Sequence, residues 1–329
     1  LDLASVVVLG IGAYWVAWRL GLPAILLLLA VGFIAGPVTG LVHPEKLLDS
    51  LLFPLVSISI AIILFEGGLS LRLGDLRGGT GRVVFNLVSI GALVTWLIGA
   101  GAAAWIMGLD LDLAILLGAI LVVTGPTVVG PLLRDVRPAG PVGALLRWEG
   151  IVIDPVGASL ALLVFEAVLA SSPQEATTTV VEGVVRTIVA GGISGALGAG
   201  LLIILLRHYW IPDFLQNPVA LMVVVGSFAA ADVFQEESGL LAVTVMGVIL
   251  ANQRQVVVKK ILQFKEDLRV LLIACLFVVL TARIQPEDIT SLGWQGLVFL
   301  AVVMLVARPA AVFFSTMRSG LDWRERLFL

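Results

Sequence analysis

Eleven strongly apolar runs, most of them close to twenty residues long, leave this chain few ways to fold. They lie near 2–18, 23–42, 48–71, 82–107, 111–133, 146–170, 179–206, 213–232, 237–252, 261–283 and 293–315. About 20 apolar residues let a helix cross the hydrocarbon of a bilayer, and the connections between the runs are too short to hold a soluble domain. Only 13% of the 329 residues are charged, against roughly a quarter in soluble domains, and the mean hydropathy is +1.11. Uninterrupted runs such as 24–30 exclude an outer-membrane barrel, whose strands alternate apolar and polar residues. The expected fold is an all-α polytopic membrane protein, with residues 1–329 forming one membrane domain. A net charge of −3 gives no sign of a nucleic-acid partner. The single cysteine, Cys275, can form neither an internal disulfide nor a thiolate metal site, and reads as a small apolar residue. Residues 1–18 lack a basic leader and a small-residue cleavage site, so the start reads as a trimmed terminus rather than a signal peptide.

Basic residues set the expected orientation, because cytoplasmic loops of membrane proteins retain excess lysine and arginine. With the N-terminus outside, the inner connections carry Arg19, Arg72, Arg77, Arg82, Arg134, Arg137, Arg147, Arg207, Arg254, Lys259, Lys260, Lys265, Arg269, Arg318, Arg324 and Arg326. The outer ones carry only Lys46, Arg186 and Arg283. The N-terminus is therefore expected outside and the C-terminus in the cytoplasm. Trp18, Trp105, Trp148, Trp210 and Trp294 lie near segment ends, where indoles favour the headgroup region.

Glycine is abundant, at 35 residues. The run Gly191-Gly192-Ile193-Ser194-Gly195 puts small residues four apart, which lets helix backbones approach closely. The same string resembles the surroundings of an intramembrane protease nucleophile, but Ser194 lacks a histidine base. His208 lies fourteen residues along the same segment, about 21 Å away, and His43 falls in an outer loop.

Ionisable residues inside membrane segments are costly and mark candidate functional sites. Asp154 and Glu149 lie in the sixth segment, Arg308 in the eleventh and Glu66 in the third. The fifth segment is interrupted by Gly125-Pro126, with Thr124 and Thr127 beside the break. A broken helix there would offer hydroxyls and unpaired carbonyls as neutral oxygen ligands. Pro155 follows Asp154 and removes the donor that the carbonyl of Ile151 would otherwise meet, so the sixth helix is expected to break there as well. Counted from the inner segment ends, Gly125, Asp154 and Arg308 all lie roughly 10 to 12 Å deep, with Glu66 slightly shallower. Burial favours the protonated form of a carboxyl group and a bound cation favours the ionised form, so proton and Na⁺ or K⁺ compete at such an aspartate. Glu149 points about 140° away from Asp154 around the helix and needs another partner, for which Arg308 is the best candidate. Glu66, before Gly67-Gly68, is a minor candidate.

Five strings carry a resemblance: Leu64-Phe65-Glu66-Gly67-Gly68-Leu69; Thr124-Gly125-Pro126; Trp148-Glu149-Gly150-Ile151-Val152-Ile153-Asp154; Ser238-Gly239-Leu240-Leu241-Ala242-Val243 with Ala251-Asn252; and Ala307-Arg308-Pro309. Together they resemble the NhaP-like branch of the monovalent cation/proton antiporters, across all eleven segments. The resemblance implies an NhaA-like fold with broken crossing helices, of which about eleven of an expected thirteen segments are present. It implies that Asp154 binds cation or proton, with Thr124 and Thr127 as further oxygen donors and Glu149 and Arg308 as the intramembrane pair. It also implies a homodimer moving by an elevator-like shift, no cofactor, and electroneutral one-for-one exchange by alternating access. Where the family carries Thr-Asp-Pro and Asn-Asp, this chain has Gly125 and Ile153, and Gly150 stands where a serine often follows the glutamate. The remaining ligand set is poorer for a strongly hydrated ion. The sequence ends before the family's last two helices, and these 329 residues alone are expected not to transport.

The expected partners are thus monovalent cations, protons, the lipid bilayer and a second copy, in a multi-pass protein of the bacterial inner membrane. A cation channel or uniporter using the same aspartate is the alternative within transport. An intramembrane enzyme is disfavoured: the chain has no His-Glu-x-x-His string and no membrane-embedded histidine.

Overall fold

The computed structural model describes residues 2–44, 52–125, 140–170, 172–256 and 259–329. Among these residues the regular structure is entirely helical. In chain order the main helices are α1 (Asp2–Leu20), α2 (Ala24–Val38), α3 (Leu52–Leu69), α4 (Thr80–Ile106), α5 (Leu111–Ile120), α6 (Val142–Leu169), α7 (Pro173–Arg207), α8 (Gln216–Phe234), α9 (Ser238–Asn252), α10 (Lys259–Thr281), α11 (Gly293–Thr316) and the short α12 (Trp323–Phe328). Among the described residues, seven helical stretches are long and apolar enough to cross a bilayer, and four more are apolar but shorter. Each expected apolar segment coincides with one of α1–α11.

Chain breaks follow local chemistry. After α1, Gly21 takes a φ of +67° and its amide donates back to Trp18, then Leu22 donates to Ala17. Pro23 follows and cannot extend a helix. Ser172 caps α7 by accepting from the amide of Glu175, and Asp322 with Glu325 forms a capping box on α12.

The bundle divides into two packed regions. In the first, α9 is wedged between α3, α7 and α8, with Leu64, Leu202, Val224, Val243 and Met246 fully buried where they meet. Helices α1, α2 and α10 pack beside it around Leu28, Ala274 and Val278, with Cys275 against the same cluster. Here the backbones nearly touch. A Cβ on Gly36 would collide with the carbonyl oxygen of Ala282, and one on Gly247 would stand 2.5 Å from that of Phe65. Gly195 meets Ala242 in the same way, and Gly191 meets Ser238, so the small-residue run on α7 is a packing surface.

The second region joins α4, α6 and α11 around Leu87, Leu145, Trp148, Ile151 and Val312, with α5 packed against α4 and α6. Helices α4 and α11 each contain a π turn, at Leu87–Gly91 and Val303–Ala307. Where these two helices meet, Asn86 Nδ2 donates to the carbonyl of Ser315 at 3.1 Å and Ser315 Oγ returns a bond to the carbonyl of Asn86 at 3.2 Å.

Three expectations are corrected. Helix α5 stops at Ile120, five residues before Gly125, with Leu121 and Val122 in a turn. The β-branched run Val122-Val123-Thr124 leading into Gly125-Pro126 disfavours helix, as does the steric demand of a following proline. Pro155 does not break α6, which stays helical throughout Val142–Leu169. Buried Ile153, Pro155 and Gly157 hold that stretch between neighbouring helices, so one missing donor is tolerated. Trp148 is only 7% exposed and sits in the core of the second region, whereas Trp18, Trp105, Trp210 and Trp294 are exposed.

Candidate functional site

Helix α6 carries three carboxylates, Glu149, Asp154 and, near its far end, Glu166, and touches both regions. Residues Ile151, Asp154 and Gly157 are spaced three apart, so they form a stripe along one face. At one end of this stripe the side chain of Ile151 packs against Gly67 of α3, with 3.2 Å to a Cβ placed there. At the other end Gly157 meets the side chain of Val123, just beyond the end of α5. Asp154 lies between these contacts. Its Oδ1 is buried and has no hydrogen-bond partner among the described residues. A buried carboxylate oxygen left without a partner is costly unless a proton or a cation meets it.

Val123 places Thr124 and Gly125 next to this stripe, and both are partly buried in non-helical chain. Pro126 and Thr127 lie outside the described residues. Neutral oxygens from Thr124 and the carbonyls beyond Ile120 are thus the donors on the α5 side that the described residues supply.

Two residues before the stripe, Glu149 meets Arg308 of α11. Nη2 of Arg308 donates to Oε2 at 2.9 Å and Nη1 donates to Oε1, a fork that satisfies both carboxylate oxygens. The same arginine donates from Nε and Nη2 to the carbonyl of Leu329 at 3.2 and 2.9 Å. The side chain of Glu149 is 4% exposed and that of Arg308 32%. Arg308 begins the helical stretch immediately after the π turn of α11, which sets the direction in which its side chain leaves the helix.

Glu66 of α3 also has a cationic neighbour. Its Oε1 lies 3.3 Å from Nη1 of Arg269 on α10, and both side chains are largely buried. The charge-rich surroundings Lys265-Glu266-Asp267 place Arg269 in an inner connection by sequence; α10 instead begins at Lys259 and carries it ten residues into the helix. The rule that a charge in the membrane needs a partner pointed to it once Glu66 was noted. In the sequence Asn252 stands out only within the string that ends Ala251-Asn252. It closes α9 onto the chain after α3: Nδ2 donates to the carbonyl of Leu71 at 2.9 Å and Oδ1 accepts from the amide of Leu73 at 2.8 Å. Among the described residues no group of three or more His, Cys, Asp or Glu side chains converges as a resident metal site would.

With this geometry in place, likeness to known proteins is informative. The NhaP K⁺/H⁺ antiporter of Alkalimonas amylolytica is 28% identical over 323 residues, a stretch covering 98% of this chain and 55% of that protein. The NhaP2 K⁺/H⁺ antiporter of Shewanella sp. strain ANA-3 is 27% identical, covering 95% of this chain and 54% of its own length. This chain therefore spans about half the length of these relatives. Na⁺/H⁺ antiporter 1 of Methanocaldococcus jannaschii is 26% identical, with 99% of this chain and 78% of that protein covered. The solved structure of the sodium proton antiporter MjNhaP1 from Methanocaldococcus jannaschii at pH 8 superposes with a TM-score of 0.86 at 25% identity, over 99% of this chain and 80% of that one. Residues 4–329 match the profile of transmembrane sodium/hydrogen exchangers, and on that match the chain belongs to the sodium/hydrogen exchanger family.

Proposed function

We propose that this chain carries the exchange site of a secondary transporter that swaps a monovalent cation, Na⁺ or K⁺, for H⁺, with the two competing at Asp154. The observation that carries this reading is the buried Oδ1 of Asp154, without a hydrogen-bond partner among the described residues, on the face of α6 that touches α3 at one end and the chain beyond α5 at the other. Of the three deeply placed carboxylates Glu66, Glu149 and Asp154, only Asp154 has no arginine beside it among the described residues. Protonation neutralises it, and so does a bound monovalent cation, so either ligand carries the site across as an equally charged unit. Electroneutral one-for-one exchange follows, with Thr124 and Thr127 completing the oxygen donors and Glu149 with Arg308 clamping α6 to α11. Alternating access, a homodimeric assembly and residence in a bacterial inner membrane, with the N-terminus outside, complete the proposal. The names of the relatives in Alkalimonas, Shewanella and Methanocaldococcus support both K⁺ and Na⁺ as candidate cargo.

The test uses the full-length protein in liposomes holding a trapped pH dye, with the membrane potential clamped at zero. Adding K⁺ or Na⁺ outside should make the lumen alkaline, because inward cation movement drives protons out. A channel or uniporter would instead show voltage-driven cation flux and no pH change under the clamp.

A further inference from the structure

At its basic end the second region holds a cavity of about 620 Å³ that the exchange chemistry proposed above does not use. Small-molecule pockets have volumes of roughly 300 to 1,000 Å³. Its lining includes Gly79, Thr80 and Arg82 at the start of α4, with Arg318, Ser319 and Glu325 from the chain that leaves α11. The start of α11 packs on the end of α4, and Arg308–Thr316 packs on the start of α4, so the two helices run antiparallel. Arg82 stands four residues before Asn86 and Arg318 three after Ser315, so both fall on the same side of the Asn86–Ser315 junction. Among the described residues neither guanidinium has a hydrogen-bond or ion-pair partner. The carboxylate in the described lining, Glu325, already accepts the amide of Asp322 at 2.9 Å in the capping box of α12.

We propose that this cavity binds the phosphate of an anionic phospholipid between Arg82 and Arg318, with the acyl chains lying on Phe85 and Phe314. Guanidinium groups match phosphate oxygens with paired N–H donors, and basic pockets between membrane helices take lipid head groups in this way. The start of α4 adds to the attraction. No side chain caps it, and Gly78 and Gly79 lead into it at φ +68° and +96°, with open space where each Cβ would stand. Its first amides therefore present the positive end of the helix dipole without a side-chain acceptor. The margin is apolar. Phe85, three residues after Arg82, is 71% exposed, and Phe314, four before Arg318, is 52% exposed. Both lie within membrane-spanning stretches, whereas Arg82 is the third residue of one such stretch and Arg318 lies two residues beyond the other. That places charge at headgroup level and aromatic surface at acyl level, which a lipid matches and a free phosphate does not. The inference does not depend on exchange at Asp154.

The experiment follows the melting temperature of the full-length protein in neutral detergent as phosphatidylglycerol, diacylglycerol or inorganic phosphate is added. Phosphatidylglycerol should raise it, because a ligand that binds only the folded protein stabilises it. Diacylglycerol, which lacks the phosphate, should not. Arg82→Gln and Arg318→Gln should each raise the mole fraction of phosphatidylglycerol needed for half the effect about tenfold. Melting without lipid should hardly change in either, since neither guanidinium loses a partner. Arg207→Gln combined with Arg254→Gln removes two basic residues outside the cavity and should leave the response near wild type. An equal loss in that control would reveal general attraction to negative lipid and overturn the inference, as would a full response with Arg82 and Arg318 both replaced. An equal rise with inorganic phosphate alone would overturn the lipid as the source and leave free phosphate as the ligand. If Arg82→Gln does not fold, Arg318→Gln against the control pair decides the question.

Discussion

The region built on α1–α3 and α7–α10 and the region built on α4–α6 and α11 each pair a buried carboxylate with an arginine, but each holds its helices by different means. In the first, glycines bring backbones into contact, as at Gly36 with Ala282, Gly68 with Thr244 and Gly247 with Phe65. Shape sets the helix positions there, and one 3.3 Å contact between Glu66 and Arg269 accompanies them. In the second the junctions are polar: the reciprocal bonds of Asn86 with Ser315 and the fork from Arg308 to Glu149. Helix α5 is the exception there, since Gly118 sits against the carbonyl of Trp96. Lipid offers little apolar drive for helix association, so contact must come from close packing or from polar bonds. The two regions have taken different routes, and α6, with Asp154, lies where they meet.

The largest way to break this contrast is to remove a polar junction. Arg308→Ala leaves the Glu149 carboxylate buried without its fork and should cost about 3 kcal/mol, the lower part of the usual range because Arg308 is 32% exposed. Thermal unfolding of the purified protein checks this, and Arg308→Lys should recover only part of the loss, since an ammonium cannot bond both oxygens in a plane. On the shape-locked side, Gly247→Ala forces a methyl against the carbonyl of Phe65 and should cost about 1 to 3 kcal/mol. Gly192→Ala meets nothing within 4 Å and should be neutral or stabilise by about 0.5 kcal/mol or more. If the two glycine variants melted alike, close backbone approach would not be what holds α3, α7 and α9 together.

How much of this could be read from the sequence depended on which physical rule governed each residue. Helix positions were legible because hydrocarbon demands continuous apolar helix, and Glu149 with Arg308 was legible because neither charge is tolerable alone at that depth. Arg269 was misread because Lys259, Lys260 and Lys265 made the start of its helix look like a loop, and charge density there outweighed periodicity. Trp148 was misread because it lies near a run's apolar edge, whereas α6 begins at Val142 and carries the indole inside. The end of α5 was placed too late because Gly125-Pro126 is the loudest signal, while the quieter β-branched residues before it had already ended the helix. The interlock of Asn86 with Ser315 has no local signature, since it depends on how α4 and α11 pack together.

Smaller effects sharpen the same contrast. Asn252→Ala removes the bonds that close α9 onto Leu71 and Leu73, and should cost about 1 to 2 kcal/mol, seen as a lower melting temperature. The smallest lies at the other end of α9, where Glu237 occupies the left-handed region with φ +63°. Partial burial, then the negative charges of Asp232 and Glu236, push its carboxyl pKa up. A carboxyl whose pKa is raised on folding stabilises the fold fully below its unfolded value, and that contribution is lost as pH rises through the folded value. Melting temperature should therefore decline across and just above the ordinary carboxylate range, and Glu237→Gln should make that decline shallower. An unchanged pH profile in this variant would remove Glu237 from the account.

The central claim is that cation and proton compete at Asp154. Full-length wild type and Asp154→Asn, reconstituted in liposomes with a trapped pH dye, would be given K⁺ and Na⁺ pulses in turn. We expect a cation-dependent pH change in the wild type and none in Asp154→Asn, with both proteins eluting and melting alike. Exchange that persists in folded Asp154→Asn would contradict the account and move the site away from α6.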